Sequence, residues 1–292
     1  MENKRNPYKI FVLVICLMLF SKVSYSQNAP SFDLKFINYL VNKGDYEDVL
    51  YLLDQERTGI HQSNDTVNYL RGWSLYSLKR LQLSSESFIK VKPDSEYYSK
   101  SHFFAAYNYT HLGSYNEALE TLLNINTLSE KHVSIKNFEL SGIYLLQGKY
   151  ELFEDMFPKI DNTFFEISAS YENLQKISAD IKNHKTKSPL IAGFLSGIIP
   201  GSGKFYAGKR GEAISSFITT TGLGLVTWEN VRKSGINNYK TLLFGTAFAF
   251  SYAANIYGAV ITVNLLETEY RDNVKNSILF NLHIPLRNTF NK

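Results

Sequence analysis

One short pattern recurs along the first half of the chain: a glycine or its substitute, any residue, then an aromatic residue or leucine. It stands at Gly44/Tyr46, Lys79/Leu81, Gly113/Tyr115 and Gly148/Tyr150, in steps of 35, 34 and 35 residues. A fixed period of that length marks one supersecondary unit repeated, each copy needing its neighbours to bury its apolar face. A glycine at such a position closes a helix. Small residues such as Ala106 and Ala118 let two helices approach, and Tyr109 and Tyr115 fill the space beside them.

The third copy, with Ala106, Tyr109, Leu112, Gly113, Tyr115, Ala118 and Leu122, resembles the consensus of the tetratricopeptide repeat. Copy two departs from it at Lys79 and Ser84, and copy four at Phe153. The resemblance implies a tetratricopeptide-like α-solenoid over residues 27–160, whose first helices line a concave groove that receives a peptide or extended chain from a partner. The family's spacing assigns Tyr69, Trp73, Phe103, Tyr107 and His111 to that groove, although the same rings could serve as packing between repeats. Over residues 161–187, Ile167, Tyr171, Leu174, Ile177 and Ile181 recur at three- and four-residue intervals, which predicts a capping or linker helix.

After Lys187 the composition changes. No charged residue occurs from Ser188 to Gly203, from Ala213 to Trp228 or from Thr241 to Leu266. The third run is long enough to cross a hydrocarbon core of about 30 Å, and the second nearly so. The first is short and broken by Gly193, Gly197, Pro200, Gly201 and Gly203. Residues 188–266 are therefore expected to form a helical membrane domain with two spans and a candidate third, and Gly245, Ala249, Ala253 and Ala254 offer small faces for helix packing. Between the first two runs, Pro200, Gly201, Gly203, Tyr206 and Gly208 resemble the Pro-Gly-x-Gly-x-x-Tyr-x-Gly loop of small two-transmembrane domains of bacterial membrane proteins. That resemblance implies a membrane hairpin with an interfacial Tyr206, flanked by Lys204, Lys209 and Arg210. In the C-terminal tail, residues 267–292, Ile278, Phe280, Leu282 and Ile284 alternate as an interfacial or pairing segment would. Three crossings would set this tail opposite the repeats, whereas two crossings with a re-entrant first segment would set it on their side.

At the other end, Lys4, Arg5 and Lys9 precede the apolar run Ile10 to Phe20, with Ser24 and Ser26 before a cut ahead of Gln27. Residues 1–26 read as a secretory signal peptide, and its removal takes away Cys16, the one cysteine. The net charge of +4 comes mostly from this leader, so nothing favours nucleic acid as a partner. Catalysis has no carrier either. The histidines at 61, 102, 111, 132, 184 and 283 form no HxxxH or HExxH, which leaves no metal site. Gly201-Ser202-Gly203-Lys204 fails the Walker A spacing, with Ile198 at the first glycine and Phe205 at the hydroxyl position, so no cofactor is expected. These features together predict an all-α, non-enzymatic adaptor of the bacterial cell envelope. Its repeats would lie in the periplasm and bind envelope protein in secretion, envelope-assembly or motility machinery. A hairpin would hold it in the lipid bilayer, the inner membrane before the outer. The alternative is a small oligomeric membrane domain that transports or senses a solute, a homo-oligomer with the repeats as platform and Asn255 as its first suspect.

Overall fold

The computed structural model describes residues 34–54, 65–126 and 129–290, so the expected signal peptide and the first residues of the array lie outside it. Every regular element among the described residues is helical. The chain divides into two compact units, Met1–Leu112 and Gly113–Lys292, and this boundary falls at the glycine of the third copy rather than at the start of the apolar region.

The first unit contains α1 (Leu34–Lys43), α2 (Tyr46–Asp54), α3 (Asp65–Ser77), α4 (Leu81–Phe88) and α5 (Tyr98–Leu112). Ile37, Leu40, Val49, Leu52, Leu53, Val67 and Leu70 form the core of its first three helices. Successive helices pack on one another. At the contact of α3 and α4, a Cβ added to Gly72 would sit 2.5 Å from the Phe88 ring, so the close approach requires glycine. Ser84, which departs from the usual alanine, earns its place by hydrogen bonding: its hydroxyl donates to Gly72 O at 2.8 Å and accepts from Asn108 Nδ2 at 3.0 Å, tying α3, α4 and α5 together. Arg80 adds an ion pair to Glu47 at 2.6 Å.

The second unit contains α6 (Tyr115–Leu123), α7 (Glu130–Leu146), α8 (Tyr150–Met156) with a 3-10 turn at Phe157–Lys159, α9 (Phe165–Asn183), α10 (Pro189–Ile198), α11 (Ser202–Ala207), α12 (Arg210–Ser234) and α13 (Tyr239–Phe290). Ser129 caps the start of α7 by accepting from His132 N. Lys136 places its ammonium on the carbonyls of Leu123 and Ile125 at 3.1 and 3.0 Å, at the C-terminal end of α6.

Each of the four positions picked out by the repeat spacing is a left-handed break between helices: φ is +90° at Gly44, +62° at Lys79, +83° at Gly113 and +70° at Gly148. Lys79 is the one non-glycine residue with positive φ among the described residues. Three of the breaks close with the same six-to-one backbone bond, Asp45 N to Leu40 O (3.0 Å), Arg80 N to Leu75 O (2.8 Å) and Lys149 N to Tyr144 O (2.9 Å).

In the second unit, α13 runs without interruption for 52 residues, about 78 Å. Its first half pairs with α10, α11 and α12, and its second half packs on α7 and α9. The stretch after Leu266 is thus no separate tail. Ile278, Leu279, Leu282 and Leu286 are buried at helical intervals while Phe280 is 64% exposed, so the two-residue alternation is a coincidence of composition. Gly142 of α7 makes room for Leu282, whose side chain would lie 2.4 Å from a Cβ there.

Candidate functional site

The five residues assigned to a groove do not share one environment. Phe103 is fully buried and Tyr107 is 8% exposed, so these two rings serve packing and present no surface to a partner; His111 is exposed beside Tyr107. Tyr69 and Trp73, one turn apart on α3, are half-buried and join a different set of neighbours. Tyr97 stacks on Tyr69 with ring centroids 4.3 Å apart and an interplanar angle of 7°. Lys100 lays its ammonium 4.3 Å from the Trp73 ring and 5.3 Å from the Tyr69 ring. Burial pushes the Lys100 ammonium below its ordinary value and the Tyr69 phenol above its own. Phe104 closes the base by meeting Trp73 edge-on at 5.3 Å. The result is a half-open aromatic cradle with its own lysine in it. Tyr97 and Lys100 escape a reading based on repeat spacing, because they come from the turn before α5 and from its first residues rather than from the helix that carries Tyr69 and Trp73.

The glycine turn of the second unit is built from short contacts. Gly201 has φ of +84°, and a Cβ there would sit 2.2 Å from Ala213 O; a Cβ on Gly203 would sit 2.0 Å from Ala192 O. Both positions therefore exclude any side chain. The amide hydrogens of these glycines are already placed, Gly201 N on Asn255 Oδ1 at 2.8 Å and Gly203 N on Ser196 Oγ at 3.0 Å. Asn255 also donates to Ser196 O at 3.0 Å, and Tyr252 donates its hydroxyl to Gly197 O. The buried amide of α13 thus stitches the turn between α10 and α11, and the N–H groups of Gly201, Ser202 and Gly203 are all used within the turn.

Three bonds fix where these short helices begin and end. Ser188 N donates to Tyr206 Oη at 3.1 Å, Lys187 Nζ to Ala207 O at 3.0 Å, and Lys187 N to Glu267 Oε1 at 2.9 Å. The chain descends through α10, reverses at Pro200-Gly201 and returns through α11 to the end where it started. Gly208, with φ of +91°, closes α11 there and α12 departs. Glu267 also meets His184 Nε2 at 2.9 Å; that bond and the Lys187 N–H hold its carboxyl below the usual carboxylate range. Tyr270 stacks on the His184 ring at 3.6 Å and donates to Asp180 Oδ2, and burial with that acceptor pushes its phenol up to about 12.

From this end α12 runs antiparallel to α13, with Thr220 Oγ1 3.1 Å from Ser251 Oγ and Gly224 against Phe248. Between α11, α12 and α13 lies a pocket of about 210 Å³ that no spacing predicts. Lys204 points into it and donates to Ser216 Oγ at 2.9 Å. Elsewhere the outer faces of these helices are apolar and exposed, with Leu190 81%, Phe194 71%, Ile218 64%, Leu243 65% and Phe250 74% open. Among the described residues, α13 is the one helix both long and apolar enough to cross a membrane. The 25-residue α12 has the length, but Ser215, Ser216, Thr219, Thr220, Thr221 and Thr227 dilute its apolar character. No family model matches this chain, and neither a curated protein nor a solved structure matches it.

Proposed function

We propose that this chain is a non-enzymatic, membrane-anchored adaptor of the bacterial cell envelope, in which tetratricopeptide-like helix pairs bind a partner protein beside the bilayer. The observation that carries the reading is α13, a single helix with exposed apolar side chains in its first half and a second half packed on α7 and α9. An exposed apolar surface of this extent is unfavourable in water and matched to lipid. One unbroken helix would then transmit the position of the membrane directly to the helix pairs.

In this reading α12 and α13 span the bilayer and α10–α11 is re-entrant, entering and leaving on the side of α7 and α9. Arg210 and Arg232 lie 22 residues apart on α12, about 33 Å, close to a hydrocarbon thickness of about 30 Å. At the far end Arg232 sits over the Trp228 ring at 5.1 Å and Lys240 over Tyr239 at 5.8 Å, the residue types that anchor a helix at an interface. A signal peptide sends the repeats to the periplasm, so in this reading the turn that carries Arg232, Lys233 and Lys240 lies on the cytoplasmic side. Two crossings with a re-entrant segment are therefore preferred to three. The partner surface is the cradle of Tyr69, Trp73 and Tyr97.

The test combines alkaline extraction of membranes with cross-linked co-purification. The full chain should stay in the pellet, and Tyr69→Ala with Trp73→Ala should lose the main co-purified envelope protein while remaining in the pellet. Release by alkali would remove the anchor from this account. Retention with an unchanged set of co-purified proteins would remove the cradle. The alternative reading, an oligomeric membrane domain that transports or senses a solute, draws its support from the polar pocket at Lys204.

A further inference from the structure

We infer that the Lys204 pocket is a binding site for an anionic oxygen group, a phosphate or a carboxylate, entering from the lipid side of the α12–α13 pair; the inference rests on the membrane reading above. Lys204 leaves α11 toward α13, where Gly258 lies beside it: a Cβ at Gly258 would come within 3.5 Å of Lys204 Cε. Its ammonium has three donors, and one is placed on Ser216 Oγ. Lys204 joins none of the ion pairs among the described residues. The wall is Ser215, Ser216, Thr219, Thr220, Ser251 and Asn255, completed by Ala254, with no carboxylate among them.

A cation among apolar helices without a counter-charge is costly, and intramembrane cations are retained where they meet an anion or line a path. Hydroxyls and an ammonium converging on one space supply donors for anionic oxygens. The direction of entry follows from exposure. Ser215, Thr219 and Ala254 are exposed, and the surface around them carries Ile214, Phe217, Ile218 and Phe250, all open. Ser216 lies six residues along α12 from Arg210, about 9 Å, a depth that an anionic headgroup reaches when drawn in by a cation. A volume of about 210 Å³ accepts one such group.

The experiment follows thermal unfolding of the full chain in nanodiscs of phosphatidylcholine alone, of phosphatidylcholine with phosphatidylglycerol, and of phosphatidylcholine with inorganic phosphate in the buffer. Near-saturating ligand should raise Tm by roughly 5–10 °C, and Lys204→Met should abolish the rise. A rise with phosphatidylglycerol alone identifies a lipid headgroup; a rise with inorganic phosphate identifies the same site filled by a free anion. Equal rises in wild type and Lys204→Met, or none with either probe, overturn the site. If Lys204→Met lacks wild-type helicity in phosphatidylcholine alone, Ser216→Ala replaces it and should reduce the rise, and an unreduced rise overturns the site. A chain that fails to enter nanodiscs overturns the membrane reading together with the site, whereas entry without a Tm response overturns the site alone.

Discussion

Two carboxylates of the second unit experience opposite forces. Glu139, in α7, is fully buried and neither oxygen has a hydrogen-bond partner among the described residues, so burial pushes its carboxyl well above the ordinary value. Glu267 is held low by His184 and the Lys187 N–H. The linkage signs therefore differ. For Glu139, protonated when folded, stability is full below the unfolded value near 4.5 and falls as pH rises toward the raised folded value. For Glu267, stability is present above its unfolded value and falls as pH drops through the lowered folded one. Glu139→Gln should accordingly stabilise the chain near pH 7 by roughly 1–3 kcal/mol and flatten the decline of Tm above pH 5, as scanning calorimetry across pH would register; an unchanged pH profile would show that the carboxylate is hydrated. Asn255 carries a different kind of constraint. Asn255→Leu strands both Gly201 N and Ser196 O away from water and should cost about 2–4 kcal/mol, visible as a lower Tm in detergent. A silent Asn255→Leu would mean that the turn finds other partners. Of these residues, Asn255 is conspicuous in the sequence as a polar amide in an apolar run, whereas Glu139 sits among other helix carboxylates and only its packing sets it apart.

At the scale of the element, glycines were the informative residues. A left-handed helix end favours glycine because a Cβ would clash there, so Gly44, Gly113 and Gly148 disclosed three helix breaks through composition alone. The fourth became legible by spacing, since Lys79 adopts the same φ without being glycine. That lysine carries the strain of an L-residue in the left-handed region, about 1–2 kcal/mol, partly offset by its ammonium 5.7 Å from the Tyr76 ring. Lys79→Gly should therefore raise stability by about 0.5–1 kcal/mol, measurable as a higher midpoint in urea. A lower midpoint would assign the Tyr76 contact the larger share. Which side of each helix faces a neighbour was harder to read. Phe103 and Tyr107 lie where the repeat spacing expects groove residues, yet both are buried, because the spacing locates a helix in the array without fixing its rotation to the last residue. The glycine loop presents the converse. Its pattern in sequence identified a tight turn, and the structure supplies the reason for each position: Gly201→Ala and Gly203→Ala would each drive a methyl into a backbone carbonyl. Either change should prevent accumulation of folded protein, whereas Gly211→Ala, with open space around it, should have no effect on yield.

For the whole molecule, the proposed membrane anchor turns on which parts of the second unit would share one side of a bilayer. Charge counts at the two loops could not answer it, because the number of crossings depends on long-range contacts that no local run of residues encodes. The contacts of Lys187 and Ser188 with Tyr206, Ala207 and Glu267 bring the start of α10, the end of α11 and the exit of α13 to one end, and the packing of Leu282 against α7 continues α13 on that side. The turn at Gly235 to Asn238 lies at the other end of α12. In the proposed arrangement Asn276 and Asn237, both exposed, therefore report opposite sides. In a Cys16→Ser background, Asn276→Cys should react with a membrane-impermeant maleimide in cells whose outer membrane has been opened, and Asn237→Cys should react only after the inner membrane is also breached. Protection of Asn276→Cys would require α10 to cross fully and would break its return to Tyr206. Labelling of both positions before the inner membrane is breached would mean that α12 and α13 do not span, and the exposed apolar faces of those helices would then need a protein partner in place of lipid.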